Sequence, residues 1–206
     1  MKLYSLIEKA VSYPVFTLED CRKWFPETTR GTLLLQLSQQ VRSGRLLRLK
    51  RGLYLLPRSP LPDPLVIASR LDPRAVISLE TVLHRAGITP EVSFATTTVT
   101  PGKTARFPTA TQGMIILRHL KPEFFFGFTL NKFPPYTVRV ATPEKALLDL
   151  LWFHRFEKNP EAYVRELRLT IPAQFSWEKF REYSRLYHNL YLARLVASMI
   201  KIYAHP

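Results

Sequence analysis

Leu3, Leu6, Ile7 and Ala10 recur at helical spacing and predict a first helix from about Lys2 to Val11, closed by Tyr13-Pro14. Thr17-Leu-Glu-Asp20 predicts the start of a second helix, with Thr17 as N-cap and Asp20 in the position of a capping-box acid. That helix runs to about Phe25 and stops before Pro26. Thr28 or Thr29 then caps a third helix that continues to Arg42. Its inward stripe is Leu34, Leu37 and Val41, helped by Leu33, and Ser43-Gly44 closes it. The next stretch, GRLLRLKRGLYLLP, alternates apolar and basic residues. It predicts strands over 45–50 and 53–56, turning at Arg51-Gly52, with leucines on one face and cations on the other. Three short helices followed by such a hairpin predict a winged helix-turn-helix over residues 1–58.

PRSPLPDP holds four prolines in eight residues, which makes it a stiff, extended connector and places a domain break between residues 57 and 64. Beyond it, a short helix is expected over Pro64–Leu71, and Ser78 is expected to cap a helix over Leu79–Ala86 that ends at Gly87. Strands rich in Val, Ile, Phe and Thr follow at about 92–99, 113–119, 124–130 and 136–141. Thr142-Pro143-Glu144 is a helix start with a cap and a proline in the first turn, and Ala146, Leu147, Leu150, Leu151 and Phe153 form its buried face over 143–156. Helices at about 160–168, 176–187 and 188–203 close the chain. The fold class is therefore α+β: an N-terminal winged helix-turn-helix, then a larger mixed domain over 64–206 with a C-terminal helical segment.

Charge sharpens the reading of the first part. The 206 residues carry a net charge of +14, which favours polyanions as partners. Half of that excess sits in residues 1–60, with 11 Lys/Arg against 4 Asp/Glu. From Arg42 to Arg58 there are six basic residues (Arg42, Arg45, Arg48, Lys50, Arg51, Arg58) and no acid. A helix-turn-helix sets the start of its second helix against base edges and holds phosphates with its flanks. The candidate DNA-binding residues are therefore Thr28, Thr29, Arg30 and Thr32 at that start, with Gln36 and Gln40 one and two turns on. Arg45, Arg48, Lys50 and Arg51 of the hairpin would meet phosphates or the adjacent groove. Arg30 can grip a guanine edge and the glutamines an adenine edge. Arg106, Arg118, His119 and Lys121 are a further set of basic positions, for nucleic acid or an acidic partner, or simply solvated.

Other chemistry is weakly signalled. Cys21 is the single cysteine, which excludes an intrachain disulfide and a multi-cysteine zinc site; beside Trp24 and Phe25 it reads as core. No phosphate loop, serine elbow or HExxH motif is present. The His154/Glu157 spacing suits a surface pair, and Lys145/Asp149 at i,i+4 suits helix support in water. No catalytic residue, metal or cofactor is expected. With no signal-peptide pattern and no long apolar run, the chain reads as cytoplasmic.

Three segments, RGLYLLP (51–57), AVISLETVLHRAGITPE (75–91) and VRVATPEKALLDLL (138–151), occur in that order and together resemble the AbiEi-type antitoxins of bacterial abortive-infection systems. The resemblance covers roughly residues 1–158 and is weak after Pro160. It implies an N-terminal winged helix that binds inverted repeats in the operon's own promoter and represses it. It also implies a C-terminal domain that counters a nucleotidyltransferase-like toxin encoded next door, without a stable complex. Copies would meet on double-stranded DNA as monomers or a weak dimer. Thr142, Pro143, Glu144, Lys145 and Asp149 match the family's C-terminal signature, and helix capping is their plain explanation. The alternative is a nucleic-acid-modifying enzyme targeted by the winged helix, whose carboxylates would come from Glu80, Glu91, Glu123, Glu144 and Asp149. A third possibility is a pure protein-interaction adaptor.

Overall fold

The computed structural model describes residues 3–58, 60–90, 94–109 and 113–204. Lys2, Glu91, the start of the strand expected at 92–99 and His205 lie outside them. By its internal contacts the chain divides into two units: Met1–Pro73 with Lys132–Thr137, and Arg74–Asn131 with Val138–Pro206.

In the first unit the helices α1 (Leu3–Ser12), α2 (Leu18–Trp24) and α3 (Arg30–Arg42) precede the strands β2 (Leu47–Lys50) and β3 (Leu53–Leu55). A three-residue strand, β1 (Val15–Thr17), completes an antiparallel sheet in the order β1-β3-β2. The sequence signal for β1 is only Val15-Phe16 between a proline and a helix cap, too short to show a period of two. The Thr17 capping box forms as expected: Thr17 accepts from the Asp20 amide, and Asp20 accepts from the Thr17 amide. Thr29 caps α3. Gly44 and Gly52 adopt positive φ of 72° and 78°, which ends α3 and turns the hairpin without Cβ strain.

The core joins Leu6, Ala10, Phe16, Cys21, Leu33 and Leu37 to Leu46, Tyr54 and Leu56. Phe16 is wholly buried, stacked on Tyr54 at 5.9 Å and tilted against Trp24 at 5.4 Å. Leu34 departs from its expected inward place and is exposed, so the buried stripe of α3 is Leu33 and Leu37 with Val41 half-buried.

The first unit also continues past the expected break at 57–64. Helix α4 (Pro64–Leu71) forms where the sequence predicts it but belongs to this unit. Arg70 ion-pairs with Asp20 at 2.5 Å, and the Lys50 ammonium donates to the Leu71 carbonyl. Tyr136, from far along the chain, donates its hydroxyl to the Val15 carbonyl and accepts from the Val15 amide, both at 2.9 Å. Proline content marks a stiff segment; these side-chain bonds, invisible to composition, decide to which body it attaches.

The second unit holds β4 (Val76–Ile77), α5 (Glu80–Arg85), β5 (Ala95–Thr100), β6 (Ala105–Thr109) and β7 (Gly113–His119). A 3₁₀ turn (Pro122–Phe124), β8 (Phe128–Phe133) and β9 (Tyr136–Ala141) follow, the tip of that last pair counting with the first unit. The mixed sheet runs β6-β7-β5-β4-β9-β8, with β5–β7 and β4–β9 parallel and β4–β5 and β6–β7 antiparallel. Among the described residues there are six strands where three or four were expected. β4 has only two residues, and β6 carries Pro108, which an edge strand tolerates. The strand expected from 124 starts at Phe128, because Pro122 opens the 3₁₀ turn and Gly127 at φ 63° redirects the chain.

Helices α6 (Pro143–Phe153), α7 (Pro160–Glu166), α8 (Trp177–Arg185) and α9 (Leu190–Tyr203) complete a mixed α+β architecture. Among the described residues no helix is long and apolar enough to cross a membrane.

Candidate nucleic-acid interface

Thr29 sits at the N-cap of α3 and accepts from the Thr32 amide at 3.3 Å, while the two hydroxyls hydrogen-bond each other at 2.9 Å. Arg30 follows on the exposed first turn. The turn of the β2–β3 hairpin is tied to the start of α2, where the Leu18 amide donates to the Gly52 carbonyl at 3.0 Å. Arg30, Arg48 and Arg51 line a single groove of about 440 Å³, together with Leu18, Leu34, Ser38 and Tyr54. Arg48 lies close enough to Tyr54 to oppose the upward shift that burial imposes on the phenol. Thr28, Thr29 and Arg30 line a second depression of about 520 Å³ with Arg22 and Lys23. Glu19 reaches both grooves, already paired with Arg22 at 2.9 Å.

Not every expected contact residue is placed alike. Lys50 is exposed, but its ammonium is tied to the Leu71 carbonyl. Gln40 accepts from the Arg45 guanidinium at 3.3 Å, so these two side chains engage each other. The Gln36 carbonyl oxygen is buried with no hydrogen-bond partner. The sequence reading missed Tyr54, Leu34 and Ser38 as groove residues. Leu34 sits at an apolar helical position and Tyr54 in an apolar strand, so neither carried a surface signal.

The second cluster singled out in the sequence lies on α6. Thr142 caps it, accepting from the Lys145 amide at 3.4 Å, and Pro143 opens its first turn. Glu144 accepts from the Ser176 amide at 2.9 Å. Lys145 and Asp149 are not a surface pair: their side chains are 2% and 0% exposed. The Lys145 ammonium donates to Asp149 and, at 3.0 Å, to the Tyr187 hydroxyl. That hydroxyl donates to Asp149 at 2.9 Å, and Ser78 donates to the other carboxylate oxygen at 2.6 Å. The Phe126 ring centre lies 5.0 Å from the ammonium.

Burial pulls the Lys145 pKa down against the pull of Asp149, and burial with the Asp149 charge pushes the Tyr187 phenol up. Ser78 thus serves this network rather than capping α5, whose N-cap position is Leu79 at φ 60° with no side-chain cap bond. A leucine held there stores backbone strain, which the surrounding buried bonds sustain.

No protein-family model matches this chain, and neither does any curated protein. Among the described residues no three His, Cys, Asp or Glu side chains are grouped so as to hold a metal ion. Of the carboxylates the enzyme alternative would use, Glu144 and Asp149 are engaged as above, and Glu123 pairs with Lys121 at 3.6 Å. One oxygen of Glu80 is buried without a partner, and Glu91 lies outside the described residues.

Proposed function

We propose that the first unit is a winged helix-turn-helix that binds double-stranded DNA, and that the chain is a transcriptional repressor of the AbiEi antitoxin class. The observation that carries the DNA-binding half is the meeting of Arg30, Arg48 and Arg51 in one groove. They come from the start of α3, from β2 and from the β2–β3 turn, the three places that a helix in the major groove and a wing on the flanking phosphates require. Arg30 with Thr28, Thr29 and Thr32 faces bases; Arg48, Arg51 and Arg45 take phosphates. Lys50 supports the hairpin through Leu71 instead.

The test is a salt titration of the full chain on duplex DNA from upstream of its own gene. Arg48→Ala with Arg51→Ala is expected to weaken binding and to flatten the salt slope by about one to two units. A slope equal to that of the unsubstituted chain overturns the assignment.

The antitoxin half rests on the resemblance of the 51–57, 75–91 and 138–151 segments. In it the second unit counters a nucleotidyltransferase-like toxin without a stable complex, copies assemble on promoter repeats as monomers or a weak dimer, and the chain itself catalyses nothing. Co-expression with a nucleotidyltransferase-like toxin from the neighbouring reading frame is expected to restore growth. Arrest that persists while the chain is abundant removes this half and leaves the DNA-binding half standing.

A further inference from the structure

Around the start of α9 the second unit leaves four large apolar side chains in solvent: Phe156, Leu186, Leu190 and Tyr191, between 47% and 82% exposed. The Phe156 and Tyr191 rings meet edge to face at 5.2 Å. Arg155 lies 4.3 Å from the centre of the Phe156 ring, and Arg194 lies 5.9 Å from that of Tyr191. On the α8 side of α9, Arg181, Arg185 and His188 share a groove of about 420 Å³ with Ala193, Ala197 and Ile200. From Tyr183 to Pro206 the sequence carries Arg185, Arg194 and Lys201 and no acid, and of these Lys201 is paired with Glu161 of α7 at 3.0 Å.

Exposed rings set among Arg155, Arg185 and Arg194, with Glu157 beside Phe156 turned to the His154 ring at 3.8 Å, match what a single polynucleotide strand needs. Its bases offer faces to stack on, and its phosphates offer charge to neutralise. A duplex keeps its base faces stacked on one another, so the rings would have nothing to grip. A second copy of the chain would bring arginines against arginines.

We propose that this surface binds single-stranded nucleic acid, with bases stacking on Phe156 and Tyr191 and phosphates held by Arg185 and Arg194. The site lies in the second unit and does not depend on the duplex-binding reading of the first.

The experiment is fluorescence anisotropy of the full chain with labelled 12-mer oligouridylate and oligothymidylate in dilute buffer. Phe156→Ala with Tyr191→Ala is expected to weaken binding by about tenfold or more, while Tyr191→Phe keeps it. Arg185→Glu with Arg194→Glu, also at exposed positions, is expected to abolish it. A preference for one oligonucleotide tells RNA from DNA within the same proposal. Three outcomes overturn it: neither strand binds, the double alanine variant binds as before, or labelled poly-glutamate binds more tightly than either strand and loses that binding in the same variants. The last would mark a docking site for an acidic protein. Arg48→Ala with Arg51→Ala, directed at duplex binding, is expected to leave the oligouridylate affinity intact.

Discussion

Asp149→Ala destabilises the second unit by about 3–5 kcal/mol, the range for removing one partner of a buried ion pair. The carboxylate accepts from Lys145, Tyr187 and Ser78 at a site that excludes water. Its loss leaves a buried ammonium and two hydroxyls without their acceptor, and each unsatisfied group costs its desolvation. Urea denaturation read at Trp152 checks this, since that indole lies 5.3 Å from the Tyr187 ring. The double variant Lys145→Met with Asp149→Leu removes both charges and is expected to cost less than the sum of the two single changes. A loss within about 1 kcal/mol for Asp149→Ala, as for an exposed pair, would contradict the network's role.

The first unit is expected to unfold in alkali, progressively from about pH 9 to pH 12. Burial first, with Asp20 adding to it, raises the Cys21 thiol from 9.0 to about 12. Burial raises the Tyr136 phenol from 10.0 to about 12, and it raises Tyr54 as well. Each is an acid whose folded pKa exceeds its unfolded one. Below pH 9 both states hold these protons and stability is intact. Above it the unfolded chain releases protons that the folded unit retains, so stability falls until the folded pKa is passed.

Lys145 in the second unit has the opposite sign, because its folded pKa is lowered. The readout must therefore be local to the first unit. Trp24, which touches Phe16, serves in a chain with Trp152 and Trp177 replaced by Phe. Cys21→Ala is expected to reduce the drop in melting temperature between pH 8 and pH 10.5, a difference in which the intrinsic cost of the substitution cancels. An equal drop in both chains would show that the thiol is not the proton holder.

Much of the local structure was legible because its causes are local. The Thr17/Asp20 capping box, the Thr29 and Thr142 caps, Gly44 and the Arg51-Gly52 turn each act within four residues and appear where the sequence puts them. The alternation of LRLK likewise predicted a strand with leucines inward and basic residues outward. Reading failed where partners are distant. Lys145 and Asp149 stand one helical turn apart, the pattern of a solvated pair. Only Tyr187, Ser78 and Phe126, from elsewhere in the chain, reveal that the pair is buried. Leu34 sits on an apolar helical position yet is exposed and lines the groove, while the buried core takes Leu33 and Leu37 instead.

By itself the sequence determined most helix caps, that the first sixty residues are strongly basic, and that Arg30, Arg48 and Arg51 are among the ten candidate DNA contacts. Those properties follow from capping, periodicity and charge, which a linear chain displays openly. The tertiary structure decided which of the cations share one groove, that Lys50 is tied to Leu71, and that α4 and Tyr136 belong to the first unit. It also decided that an ordinary-looking helix hides a lysine and an aspartate. The physical reason is the same throughout: burial and hydrogen bonding between residues tens of positions apart depend on how elements pack, and no spacing along the chain encodes that distance.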